Sequence, residues 1–114
     1  MPRRTVIVVD DHDAFRRQAA RLLEAAGWAV VGEAHDGAGA VRLARELRPD
    51  AVLLDVGLPD ASGFEVAERI AAGPAVLLVS SDADAGELAR ERAQPFLWKG
   101  ALSTDALAAV FGAA

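Results

Sequence analysis

The sequence predicts an α/β fold, a doubly wound parallel sheet built from five strand-helix units. Two observations carry this. Short, continuous, β-branched or aliphatic runs alternate with segments whose apolar residues recur at helical spacing, and four of the runs stop at polar residues: Asp10-Asp11, Asp55, Ser80-Ser81 and Lys99. Runs apolar at every position need cover on both faces. Right-handed crossovers place helices there.

Thr5-Val6-Ile7-Val8-Val9 is the first such strand. From Asp13, which is suited to cap the start, Phe15, Ala19, Leu22, Leu23 and Ala26 follow helical spacing until Gly27 offers a left-handed stop. Ala29 to Ala34 forms the second strand. Asp36-Gly37 opens a helix with Ala40, Val41, Leu43, Ala44 and Leu47 inward, ended by Pro49-Asp50. Ala51 to Asp55 is the third strand. Gly63 to Ala72 is helical, and Gly73-Pro74 breaks it. Ala75 to Val79 then runs into Ser80. Asp84 to Ala93 reads as a charged amphipathic helix, and Phe96-Leu97-Trp98 as a short strand ending at Lys99. Ser103 or Thr104 caps a last helix through Val110.

With 114 residues, the chain has the size of one domain, expected to span 1–114. Its 53% hydrophobic content excludes general disorder. The absence of cysteine excludes disulfides, thiolate nucleophiles and Cys-ligated metals. No apolar run is long enough to span a bilayer, and the Met1-Pro2-Arg3-Arg4 start leads into a strand, so a cytoplasmic protein is expected. A net charge of -5 argues against nucleic-acid binding by this chain alone. Of 12 basic residues, only Lys99 is lysine.

In a doubly wound sheet, ligands gather at the carboxyl ends of the strands. Asp10, Asp11, Asp55, Ser80 and Lys99 all fall there. Three carboxylates brought together repel one another unless a cation neutralises them, and oxygen-only ligands suit Mg²⁺. Lysine ammonium and serine hydroxyl both bind phosphoryl oxygens. The set fits phosphoryl transfer onto an aspartate.

These residues resemble the receiver domains of bacterial response regulators. The resemblance rests on Asp10-Asp11, on Asp55 within Leu54-Asp55-Val56-Gly57-Leu58-Pro59-Asp60 followed by Gly63, and on Ser80 and Lys99; it covers essentially the whole chain. It implies a flavodoxin-like (βα)5 sheet of strand order 2-1-3-4-5. It also implies a switch in which a sensor histidine kinase phosphorylates Asp55, with no catalysis beyond its own phosphorylation and dephosphorylation. Mg²⁺ would be held by Asp11, Asp55 and the Gly57 carbonyl, with Asp10 acting through a water. Ser80 and Lys99 would bind the phosphoryl group, and the Phe96 rotamer would follow Ser80. Output would be read on the face of helix 4, strand 5 and helix 5, either by an output domain, absent from this chain, or by a partner protein.

Lys99-Gly100-Ala101-Leu102 resembles receivers attached to LuxR-type helix-turn-helix outputs, whereas many receivers carry proline after the lysine. Pro95 stands where glycine is usual. The third and fourth helices are expected to be trimmed. The alternative is a receiver-like interaction module that works without phosphorylation. A phosphatase is disfavoured, because Asp10 and Asp11 are adjacent rather than two residues apart.

His12 is expected near the site but not as a ligand, and Asp60 as a turn residue. In the family, the positions of Gly57 and Asp82 influence water attack on the acyl phosphate. Trp28 and Trp98 are expected to pack. Arg42, Arg45 and Arg48 are expected along the outer side of the second helix, and Glu87, Arg90, Glu91 and Arg92 on a solvated face.

Overall fold

A computed structural model describes residues 3–70 and 72–112. Met1, Pro2 and Ala71, on which parts of the sequence reading fall, lie outside the described residues. In chain order the elements are β1 (Thr5–Val9), α1 (Asp13–Ala25), β2 (Ala29–Ala34), α2 (Gly37–Leu47), β3 (Ala51–Asp55), α3 (Gly63–Ile70), β4 (Ala75–Ser80), α4 (Ala83–Glu91), β5 (Phe96–Trp98) and α5 (Thr104–Phe111). A single 3₁₀ turn, Lys99–Ala101, precedes α5. The sheet is parallel, as the sequence predicts, and its order β2-β1-β3-β4-β5 is the one the family resemblance implies.

The continuous apolar runs are explained by cover on both faces. Val6, Val8, Leu53, Leu77 and Val79 point into a core with Leu23 and Trp28 beside α1 and with Leu107 and Phe111 of α5. Their neighbours Ile7, Val9, Val52, Leu54 and Leu78 point the other way, onto Ala40 of α2, Phe64, Val66 and Ile70 of α3, and Ala89 of α4. Alternate residues of one strand thus feed two cores. β1, β3 and β4 occupy the centre and are fixed from both sides. Asp10, Asp55 and Ser80 end these strands and inherit that rigidity.

Several helix ends differ from the sequence reading. Asp13 is the first residue of α1 rather than its cap; His12 takes the cap position and makes no side-chain bond there. The Asp13 carboxylate pairs instead with Arg16, at 2.7 Å. α2 stops at Leu47, two residues before Pro49, because Arg48 adopts the left-handed conformation (φ 46°) and its N–H closes on the Ala44 carbonyl. Gly27, at φ 95°, makes the expected reversal after α1. α4 begins earlier than expected because Asp82 caps it, accepting from Asp84 N at 3.0 Å, and it ends at Glu91 rather than Ala93. Ser103 caps α5, accepting from Ala106 N. Trp28 is buried as expected, with Arg4 stacked 4.4 Å above its ring, whereas Trp98 is half exposed because β5 is a three-residue edge strand.

Gly63 ties α3 to the end of β3. A Cβ built there would lie 2.5 Å from the Asp55 carbonyl oxygen and 2.7 Å from Val56 Cα, both backbone atoms that have no rotamer to escape into. Gly63→Ala is therefore expected to destabilise the fold by about 1–3 kcal/mol, as overpacking typically does. Urea unfolding checks this.

Candidate functional site

The site is built on the carboxyl ends of β1 and β3 and on the turn after β5. Asp10 leaves β1 with its N–H on the Ala34 carbonyl, at 3.0 Å, and its side chain is 1% exposed. One carboxylate oxygen, Oδ1, accepts from the backbone N–H of His12 at 2.8 Å. The other, Oδ2, lies 2.8 Å from Lys99 Nζ. That approach is an ion pair without hydrogen-bond alignment, so this buried oxygen has charge compensation but no hydrogen-bond donor.

Asp55 ends β3. Its Oδ1 accepts from Gly57 N at 3.3 Å, and its Oδ2 lies 3.5 Å from the same Lys99 ammonium. Lys99 thus stands between the two buried carboxylates, 4.6 Å above the Phe15 ring of α1. Asp11 is more open to solvent, and its Oδ1 lies 3.3 Å from His12 Nδ1. Ligand atoms of Asp10, Asp11, His12 and Asp55 all fall within 4.8 Å of one another.

One ammonium therefore faces two buried carboxylates, with the Asp11 carboxylate close by. The excess negative charge is felt at Asp55, whose carboxyl is pushed above its ordinary range by burial and then by the Asp10 charge; Lys99 and the Gly57 N–H only partly oppose them. A small oxygen-seeking cation fits this donor set, which combines several carboxylate oxygens with one that lacks a hydrogen-bond donor.

Ser80 adjoins the cluster through strand register: Asp55 pairs with Val79, and Val56 N donates to the Val79 carbonyl. Ser80 is buried, and its Oγ accepts from Asp82 N at 2.9 Å. Phe96 is not part of the cluster. It pairs with Leu78 in the sheet and packs toward Gly86 of α4, where a Cβ would come within 3.2 Å of its ring. A Cβ on Gly57 would meet nothing within 4 Å.

Arg16 escapes the sequence reading, which takes Asp60 only as a turn residue. Arg16 Nη1 donates to the Asp10 carbonyl at 2.7 Å while its other nitrogens pair with Asp13 and Glu33, which fixes the turn after β1. Asp60 does more than turn the chain: its carboxylate accepts from Gly37 N at 2.7 Å and Ala38 N at 3.0 Å, clamping the loop after β3 onto the start of α2. Those N–H donors hold its carboxyl below the usual range. Helical periodicity does point to Arg16 as a surface neighbour of Asp13, but no local signal marks the partner of Asp60.

A sequence model of the response regulator receiver domain matches residues 6–111. The chain belongs to the response-regulator receiver family. The response regulator GacA of Pseudomonas aeruginosa is 46% identical over 66 residues, which is 57% of this chain and 31% of GacA. The probable transcriptional regulatory protein TcrX of Mycobacterium tuberculosis is 40% identical over 83 residues, 69% of this chain and 35% of TcrX. The chain thus spans about a third of the length of these curated relatives. Among solved structures, the signal receiver domain of response regulator NarL from Mycobacterium tuberculosis superposes with a TM-score of 0.83 at 35% identity, covering 96% of this chain and 94% of that one. A LuxR-family two-component response regulator from Aurantimonas gives 0.74 at 33% identity, over 86% of this receiver and 75% of that chain. Receiver domains bind Mg²⁺ at an acidic pocket and work with a histidine kinase and an output. No helix of this receiver is long and apolar enough to cross a membrane among the described residues.

The Asp55 environment sets a pH dependence. Because its folded pKa is raised above the unfolded value, stability associated with Asp55 is fully present below the ordinary carboxylate range and declines as pH rises through the folded pKa. Asp55→Asn is expected to melt higher than the parent at neutral pH without divalent cations, and the difference is expected to close in acid. Thermal melts across pH in a chelator check this.

Proposed function

We propose that this receiver is a phosphorylation-controlled switch in which Asp55 takes a phosphoryl group from a phosphohistidine of a sensor histidine kinase, in a Mg²⁺-dependent reaction in the cytoplasm. The observation that carries this reading is the Lys99 ammonium standing between the carboxylates of Asp10 and Asp55 at the carboxyl ends of the central strands.

In this reading, Asp11 and Asp55, with the Gly57 carbonyl, would hold the ion directly, and Asp10 would hold it through water. Bound there, Mg²⁺ would supply the positive charge that three carboxylates and one ammonium lack, and would neutralise the incoming phosphoryl oxygens. An Asp55 carboxylate oxygen attacks phosphorus, the P–O bond forms as the P–N bond breaks, and the donor imidazole leaves as the neutral base after taking up a proton. Lys99 pairs with one phosphoryl oxygen, and the proton of the Ser80 hydroxyl is free to donate to another, because its oxygen lone pair already serves Asp82 N. Phosphorylation adds close to two negative charges. Ser80 then turns toward them, Phe96 follows, and the face of α4, β5 and α5 changes for its output partner. Beside Phe96, a cavity of about 290 Å³ lined by Gly86, Arg90, Gln94 and Trp98 supports this by giving the ring room to move.

Intact mass after incubation with acetyl phosphate and Mg²⁺ tests the reading: a phosphoryl adduct is expected on the parent and none on Asp55→Asn. An unmodified parent would return the receiver to the phosphorylation-independent interaction module. Asp11→Asn is expected to lose the rise in melting temperature that Mg²⁺ gives the parent. Lys99→Arg keeps the charge but replaces a compact ammonium with a planar fork, so it is expected to leave phosphorylation measurable while blunting the accompanying change in Trp98 fluorescence.

A further inference from the structure

At the opposite end of the sheet from Asp55, where the chain enters β3 and β4, a cavity of about 680 Å³ opens between the last turns of α2 and α3. Arg45 lines it from α2, Arg48 from the residue that stops α2, and Arg69 from α3, around apolar surface from Val41, Ile70 and Pro74. Among the described residues, ion pairs engage Arg3, Arg16, Arg42 and Arg92, but not these three, nor Arg4, Arg17, Arg21 and Arg90. At the rim, Arg4 and Asp50 balance each other in charge and are already occupied. Arg4 donates to the Phe111 carbonyl at 2.7 Å, and Asp50 accepts from Thr5 N at 2.7 Å.

Helix C-termini attract cations, so the macrodipoles of α2 and α3 account for part of this cluster. Each supplies roughly half a negative charge. Three guanidiniums against two such ends leave a net positive charge, part of which Arg69 directs at the Asp60 carboxylate, in a chain whose net charge is -5. Arg48 is also held in the left-handed region, φ 46°, where glycine is the usual helix stop and a long side chain is uncommon. A groove with a net positive charge matches a phosphate group. Guanidinium forks bind phosphate in bidentate fashion and also stack on planar rings, and the volume lies in the range of small-molecule sites.

We infer that this cavity binds a phosphorylated small molecule of nucleotide size, its phosphate held by Arg45, Arg48 and Arg69 and its base against the apolar wall. Doubly wound sheets usually bind ligands at the carboxyl ends of strands. This second site sits at the amino ends, roughly 15 Å from Asp55 along β3, and its occupancy is independent of phosphorylation.

Isothermal titration of the whole chain with ADP, inorganic phosphate and adenosine, in a chelator at physiological salt, tests the inference. ADP is expected to bind one to one, phosphate more weakly, and adenosine not at all. Arg48→Gly, which suits the left-handed backbone, and Arg69→Gln are each expected to weaken ADP roughly tenfold or more, and Asp55→Asn to leave it unchanged. Absence of ADP binding, or equal binding by folded Arg48→Gly and Arg69→Gln, overturns the inference. So does loss of binding in Asp55→Asn, which would move ADP to the acidic cluster. Displacement of ADP by poly-glutamate at matched charge would show a surface that takes any polyanion and would equally overturn it.

Discussion

The Lys99 ammonium between two buried carboxylates is the contact on which the site depends. Carboxylates as enclosed as Asp10 and Asp55 cost several kcal/mol each to desolvate unless something of opposite charge faces them. Lys99 faces both, at 2.8 Å and 3.5 Å, and a compact ammonium reaches two acceptors on different strands where a planar guanidinium would impose its own geometry. One cation remains insufficient for two buried carboxylates and the adjacent Asp11. Burial, and after it the Asp10 charge, raises the carboxyl of Asp55, and the donor set suits a divalent ion.

That imbalance persists only because the scaffold does not yield to it. Asp10 and Asp55 end strands whose alternate residues are locked into two separate cores, so neither carboxylate retreats without pulling a central strand. The surrounding loops are held as firmly. Arg16 grips the Asp10 carbonyl, Gly63 lets α3 start directly against the end of β3, and Asp60 pins the intervening loop to the first N–H groups of α2. Charge repulsion is thus confined to a site where a cation and a phosphoryl group have reason to bind. The edge of the sheet is built differently: β5 has three residues, Trp98 is half exposed, and Phe96 has a cavity beside it, all near the face proposed for output.

Much of the fold was legible in the sequence because strand and helix periodicities are local. Runs such as Val6 to Val9 and Val52 to Leu54 announce two-sided burial, and polar residues at their ends announce a shared edge once the strands are known to be parallel. Helix ends were less legible. Asp13 and Asp82 are both capable caps, but Asp13 is drawn to Arg16 and Asp82 takes the cap of α4. Arg48, with no glycine to announce it, turns left-handed and stops α2 ahead of Pro49.

By itself the sequence determined the alternation of elements, the family pattern of Asp10, Asp11, Asp55, Ser80 and Lys99, and the singularity of the one lysine, since each is a matter of residue type and spacing. Only the tertiary structure decided that Lys99 serves both Asp10 and Asp55, that Asp60 clamps α2 across 23 residues of chain, and that Arg45 and Arg48 meet Arg69 around one cavity. The reason is physical. Periodicity encodes which way a side chain points relative to its own backbone, whereas a charge responds to whatever lies within a few ångströms of it. Those neighbours come from other strands and helices, brought together only when the two cores close on the sheet.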